Sequence, residues 1–84
     1  MNRKSKKTIE KIKSGSKNIR FSDIVNLVED LGFRAKKSTG GSHFKFKRPG
    51  IPEAFNLQDD CGKAKSYQLD QILEIIKKYN LEDE

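Results

Sequence analysis

Apolar residues recur at two different periods along the chain, and the change of period separates helices from strands. Between residues 22 and 31 they are three and four positions apart, which is the spacing of one helix face. The members of this stripe are Ile24, Leu27, Val28 and Leu31. A helix is therefore predicted from about Ser22 to Leu31, with Ser22 as its N-cap. Gly32 suits the left-handed position that ends a helix, and Phe33 is expected to fold back onto Val28.

A second stripe of the same spacing lies near the end of the chain. It consists of Leu69, Ile72, Leu73, Ile76 and Tyr79. This stripe predicts a helix from about Ser66 to Tyr79, capped by Ser66. Upstream of the first helix, residues 8–13 have the pattern of one or two helical turns. The polar and basic residues 1–7 are expected to be disordered.

Between the two helices the apolar period changes to two, which indicates strands. Residues 42–48 alternate, so Phe44 and Phe46 are expected to face the core, although an aromatic pair can also stack on bases. The solvent-facing positions of the same strand are His43, Lys45 and Lys47.

Two further strands are predicted, over residues 33–38 and 54–58. The turn between the first two strands is expected at Thr39-Gly40-Gly41, since glycine tolerates the positive φ of tight turns. Pro49 and Pro52 are expected to close the second strand. The third strand would place Phe55 and Leu57 inward and Asn56 and Gln58 outward.

The order helix, strand, strand, strand, helix predicts an α+β fold. Each helix has one apolar face, so the simplest arrangement is a two-layer sandwich with both helices on one side of an antiparallel sheet. Double-stranded-RNA-binding domains have this architecture. The other sheet face would stay open to water. Residues 1–18 are interpreted as a basic tail that can form a short helix, and residues 19–82 as a single domain.

Composition adds a candidate partner and a compartment. The 84 residues carry a net charge of +6, and 36% of them are charged. The basic residues gather in two segments, 1–20 and 34–65, which favours a positive face that attracts phosphate. The single cysteine, Cys61, allows no intrachain disulfide, and no apolar run approaches the roughly 18 residues of a membrane span. We expect a cytoplasmic protein without membrane contact.

His43, the only histidine, is the candidate for chemistry. Neighbouring cations disfavour the charged imidazolium, so a neutral ring that accepts a proton is expected at pH 7. RNA needs little more, because its 2′-hydroxyl is an internal nucleophile. One histidine without a carboxylate cluster argues against a metal site, and no cofactor is expected. Asp59-Asp60 is interpreted as a solvated loop, and Cys61 has no second histidine to activate it.

The order of these motifs resembles the HicA toxin family over about residues 8–82. The resemblance is carried by the Gly-Phe helix exit at 32–33, a basic strand, and then Gly41-Ser42-His43 before alternating aromatics. Segments that match one branch of the family are Ser14-Gly15-Ser16-Lys17-Asn18, Asn56-Leu57-Gln58, Gly62-Lys63-Ala64-Lys65 and Tyr67-Gln68.

The resemblance implies a double-stranded-RNA-binding-like fold, cleavage of mRNA with His43 as the catalytic residue, and a HicB-type antitoxin as partner. The candidate RNA-binding residues are Lys36, Lys37, Ser42, Lys45, Lys47 and Arg48. Many members of the family have a second histidine where this chain has Phe44, which leaves the general acid unidentified, with water or a lysine as candidates. Two alternatives stay open: a non-catalytic RNA-binding module, and a module whose basic face binds an acidic protein.

Overall fold

A computed structural model describes residues 2–16, 18–36 and 43–83, with the backbone alone at positions 43 and 83. Its elements are α1 (Arg3–Lys13), α2 (Phe21–Asp30), β1 (Arg34–Lys36), β2 (His43–Arg48), β3 (Ile51–Gln58), α3 (Ser66–Lys78) and a short 3-10 helix (Leu81–Asp83). The strands form an antiparallel sheet in the order β1-β2-β3. The predicted α+β fold, with three strands between α2 and α3, is confirmed.

α1 is longer than the sequence predicted. Residues 3–7, which were expected to be disordered, form its first turns. Its buried positions are Ser5, Thr8, Ile9 and Ile12. The Asn2 side chain caps the helix by accepting from the Ser5 N–H at 2.8 Å. Because Ile9 and Ile12 pack in the same core as α2 and α3, this segment is part of the packed structure and the interpretation as a tail was wrong.

The two ends of α2 are stabilised in different ways. Ser22 is not its N-cap: the helix begins at Phe21 after Arg20, and the Phe21 N–H donates to the carbonyl oxygen of Gly62 at 2.9 Å. At the C-terminal end the helix stops at Asp30, one residue earlier than predicted, and the predicted glycine exit is confirmed. Gly32 has φ +94°, and the Phe33 N–H donates to the Val28 carbonyl oxygen at 3.0 Å, which is the hydrogen bond of a glycine-terminated helix.

α3 is tied to the sheet through a buried glutamine. Lys65, and not Ser66, is the N-cap, and its N–H donates to Gln68 Oε1 at 3.4 Å. Gln68 is only 1% exposed, and its Nε2 donates to the Asn56 carbonyl oxygen at 3.3 Å. The helix ends at Lys78, one residue earlier than predicted.

The turn between β2 and β3 consists of Pro49 and Gly50, because Arg48 and Ile51 are already paired. Gly50 has φ +90°, the conformation that glycine supplies after proline in a type II turn. Pro52 was expected outside the strands but lies within β3. β3 pairs only with β2 in the described sheet, and an edge strand tolerates a residue without an N–H. The predicted Thr39-Gly40-Gly41 turn lies outside the described residues.

The core lies between the helices and one face of the sheet. Phe46, Phe55 and Leu57 are buried, and they alternate along their strands with exposed residues. The rings of Phe33 and Phe55 pack with centroids 4.6 Å apart. The opposite sheet face therefore stays uncovered within the described structure, as expected for an antiparallel sheet. Phe44 departs from the prediction: it is 37% exposed and not part of the core.

Candidate nucleic-acid interface

Three lysines lie together on the uncovered face of the sheet. Lys36 on β1 is directly opposite Lys45 on β2, and Lys45 is directly opposite Asn56 on β3. Lys47 lies two positions further along β2 and is exposed, as are the other two lysines. We call Lys36, Lys45 and Lys47 the lysine face.

The charge of the lysine face is not compensated by neighbouring acids. Within the described ranges none of its three lysines makes an ion pair; the ion pairs observed there are Lys13–Glu82 and Lys78–Glu53. Like charges directly opposite each other across two strands repel. The repulsion between these lysines costs the fold some stability. The positive potential that they create is suited to an anionic partner.

His43 is the first residue of β2, and its backbone pairs with Gln58 of β3. It occupies the same alternation phase along the strand as Lys45 and Lys47. Its imidazole lies outside what the structure describes, as do the candidate RNA-binding residues Lys37 and Ser42. The structure therefore gives the position of the candidate catalytic residue in the sheet through its backbone.

Arg48, another candidate RNA-binding residue, has a structural partner. Its Nη1 donates to the Leu31 carbonyl oxygen at 2.9 Å, just beyond the last turn of α2. Arg34 donates from Nη1 to the Glu29 carbonyl oxygen of the same helix end, also at 2.9 Å. The last carbonyls of a helix have no partner within it and attract cations. Both arginines thus stabilise the end of α2, a role that the sequence analysis did not assign.

A pair of phenylalanines lies at the beginning of α2 and β2. The rings of Phe21 and Phe44 have centroids 5.6 Å apart and are tilted by 41°. Phe21 is half-buried and Phe44 is exposed, so the contact between them covers the Phe44 ring only in part. The alternation along β2 predicted the correct side of the sheet for Phe44. Its ring contacts Phe21 of α2 and therefore lies on the helical side. Phe21 was not singled out from the sequence; its signal is an apolar residue next to the predicted helix start.

The loop that follows β3 packs against this same end of α2. Asp60 and Lys63 bond to each other through their backbones, at 2.9 and 3.0 Å. Between them Cys61 and Gly62 have φ of +53° and +84°, as in a tight type I′ turn. The Asp59 carboxylate accepts the Gly62 N–H at 2.7 Å, so it stabilises the turn. Among the described residues no group of three His, Cys, Asp or Glu side chains is placed to hold a metal ion.

The end of α3 is fastened to β3 by a charged network. Lys78 Nζ lies 2.7 Å from Glu53 Oε2, and the Tyr79 hydroxyl donates to the other carboxylate oxygen. These two hydrogen bonds, Lys78 first, lower the pKa of Glu53 to about 2. Glu53 thus interacts with residues at the end of α3 and does not neutralise the lysine face.

No described helix has both the length and the apolar character needed to cross a membrane. Comparison of the chain with protein-family models, with curated proteins and with solved structures found no match.

Proposed function

We propose that this chain is a metal-independent endoribonuclease of the HicA type, with a double-stranded-RNA-binding-like fold, that cleaves mRNA and acts in the cytoplasm as the toxin of a type II toxin–antitoxin pair. The observation that carries the proposal is the position of His43. It begins β2 in the phase of Lys45 and Lys47, in a sheet with one uncovered face. A proton acceptor and several cations would then meet one RNA strand.

The chemistry requires one proton acceptor and a positive environment. His43 takes the proton of a 2′-hydroxyl, and the resulting oxyanion attacks the adjacent phosphorus. The bond to the 5′-oxygen breaks, and that oxygen receives a proton from water or from a lysine. The products are a cyclic phosphate and a free 5′-hydroxyl. A positioned general base contributes about 10²–10⁴-fold to such a step. Lys45 and Lys47 would stabilise the charge that builds on the phosphoryl oxygens.

The partner of the toxin would be a HicB-type antitoxin that masks the active face. A protein with acidic side chains fits the lysine face, because opposite charges guide association and select the partner. A short reading frame for such a protein beside the gene would support the pairing.

The test compares the wild-type chain with His43→Ala on a defined transcript, in excess chelator. We expect cleavage by the wild type and at least 100-fold slower cleavage by the variant. Lys77→Ala is the matched control, since Lys77 is an exposed residue of α3 and its loss should leave cleavage unchanged. Equal rates for wild type and His43→Ala would remove this histidine from the mechanism. Induced expression should arrest growth, and the His43→Ala variant should not.

A non-catalytic RNA-binding module of the same fold is the second candidate. The lysine face favours it, because three uncompensated cations account for binding to RNA without any chemistry. In this case the wild-type chain would leave RNA intact after long incubation, and His43→Ala would barely change the affinity. Both candidates predict salt-sensitive binding; with four to six phosphate contacts, the slope of log K against log salt is about −3 to −4 on single strands.

A further inference from the structure

The one exposed phenylalanine of the described structure is next to the candidate catalytic residue. Phe44 exposes 37% of its surface and directly follows His43, with the two Cα atoms about 3.8 Å apart. The ring of Phe21 packs against it. Burying this ring fully would stabilise the fold, so its exposed part is apolar surface available to a ligand.

Two basic residues are held at the beginning of α2 by backbone contacts. Arg20 directly precedes Phe21 and pairs through its backbone with Lys63, while the Phe21 N–H is bonded to Gly62. Both side chains are exposed, and neither makes an ion pair within the described ranges. Backbone hydrogen bonds therefore place Lys63 beside Arg20 and Phe21, and the ring of Phe21 contacts that of Phe44.

We infer that Arg20, Phe21, Phe44 and Lys63, here called the aromatic–basic patch, bind single-stranded RNA that passes round the end of the sheet from the lysine face to the helical side. An unpaired base stacks on the exposed ring of Phe44, and the neighbouring phosphates contact Arg20 and Lys63. Stacking on an aromatic ring combined with cations along the backbone is the usual way in which proteins hold single strands. This inference rests on the proposed function, because it states how the substrate is held next to His43.

The charges favour RNA over an apolar protein partner. The apolar part of the patch is two rings, which is much less than the buried centre of a stable protein interface. Asp60 is an acid of the neighbouring turn, where its backbone pairs with Lys63, and it forms no ion pair in the described structure. Replacing it by asparagine should therefore strengthen RNA binding.

The experiment measures affinity by fluorescence anisotropy, with the full chain carrying His43→Ala so that the RNA stays intact. The probes are a single-stranded oligoribonucleotide and a chain of the same length without bases. In this background Phe44→Leu keeps an apolar side chain against Phe21 but removes the ring. We expect about ten-fold weaker binding of the base-bearing strand, and unchanged binding of the abasic one. Phe44→Tyr should retain the affinity, since it keeps the ring.

Tyr67 provides the matched control for the ring, because it is an aromatic residue with 60% exposure elsewhere. Tyr67→Leu should change neither affinity. Changing Arg20 and Lys63 together to glutamine should reduce the salt slope by about 1.4, which corresponds to two phosphate contacts on a single strand. Thermal unfolding of each variant shows whether the fold is retained.

Three results would overturn the inference. They are unchanged binding by Phe44→Leu, equal losses on the base-bearing and abasic strands, and loss of binding by Phe44→Tyr as well. Self-association that Phe44→Leu abolishes, without any effect on RNA, would instead identify an interface between two copies. The proposed function fails separately: if the wild type does not cleave but Phe44 still contributes to affinity, the patch belongs to a binding module.

Discussion

Lys45→Gln is expected to weaken RNA binding while leaving the fold as stable as before or slightly more stable. Lys45 is directly opposite Lys36 and has no acidic partner in the described structure. Cross-strand pairs contribute about 0.2–1 kcal/mol, and like charges are unfavourable. Both lysines are exposed, so solvent screens their repulsion. Glutamine at this position should therefore raise the free energy of unfolding by a few tenths of a kcal/mol.

The effect on RNA has the opposite sign. Each phosphate contact on a single strand contributes about 0.7 to the slope of log K against log salt. Losing Lys45 should reduce this slope by about 0.7. The assay is anisotropy with a short single-stranded RNA from about 50 to 200 mM salt, in the His43→Ala background, together with urea unfolding. Lys77→Gln makes the same charge change on α3, outside the lysine face, and should leave the slope unchanged.

The two measurements can refute the reasoning independently. An unchanged salt slope for Lys45→Gln would remove this lysine from the RNA contact. A loss of more than about 1 kcal/mol of stability would show that Lys45 supports the sheet, contrary to the repulsion argued from its pairing with Lys36.

Two further predictions concern the fold. Lys78 and Tyr79 hold the pKa of Glu53 near 2, against an ordinary value of 4.5. The stability that this pKa shift contributes is complete above pH 4.5 and is lost as the pH falls through 2. The difference in Tm between wild type and Glu53→Gln should therefore shrink over that range. A constant difference would contradict this. Gly32→Ala and Gly50→Ala, at φ +94° and +90°, should each cost about 1–2 kcal/mol in urea unfolding. The nearest atom to a Cβ at Gly32 lies at an ordinary 3.4 Å, so clearly unequal costs would contradict strain as the cause.

The helical stripes of α2 and α3 could be predicted because each depends on a regular apolar face of its own. The first turns of α1 could not, because two of its buried positions are Ser5 and Thr8, small polar residues that a search for apolar periodicity passes over. The N-caps of α2 and α3 were misplaced, by two residues and by one, because Arg20 and Lys65 hold these positions and not Ser22 and Ser66. At Phe21 the helical N–H is bonded to the distant Gly62, and no local pattern signals such a partner.

The candidate site shows the same division between local and tertiary information. Alternation along β2 correctly separated Phe46 from Lys45 and Lys47. It did not predict the exposure of Phe44, because burial depends on where the helical layer ends above the strand. Nor did composition distinguish Arg48, which bonds to the end of α2, from the lysines that lie open to solvent. The role of His43 is still a prediction from sequence.

Pro52 has a consequence for the behaviour of the protein at high concentration. A strand from another copy could lengthen the sheet only by exchanging backbone hydrogen bonds along an outer edge. At β3 the proline supplies no N–H for such an exchange, and the described part of the edge at β1 carries Arg34 and Lys36. Short, charged or proline-containing edges oppose fibril formation. The sheet is thus protected against self-templated aggregation at both margins.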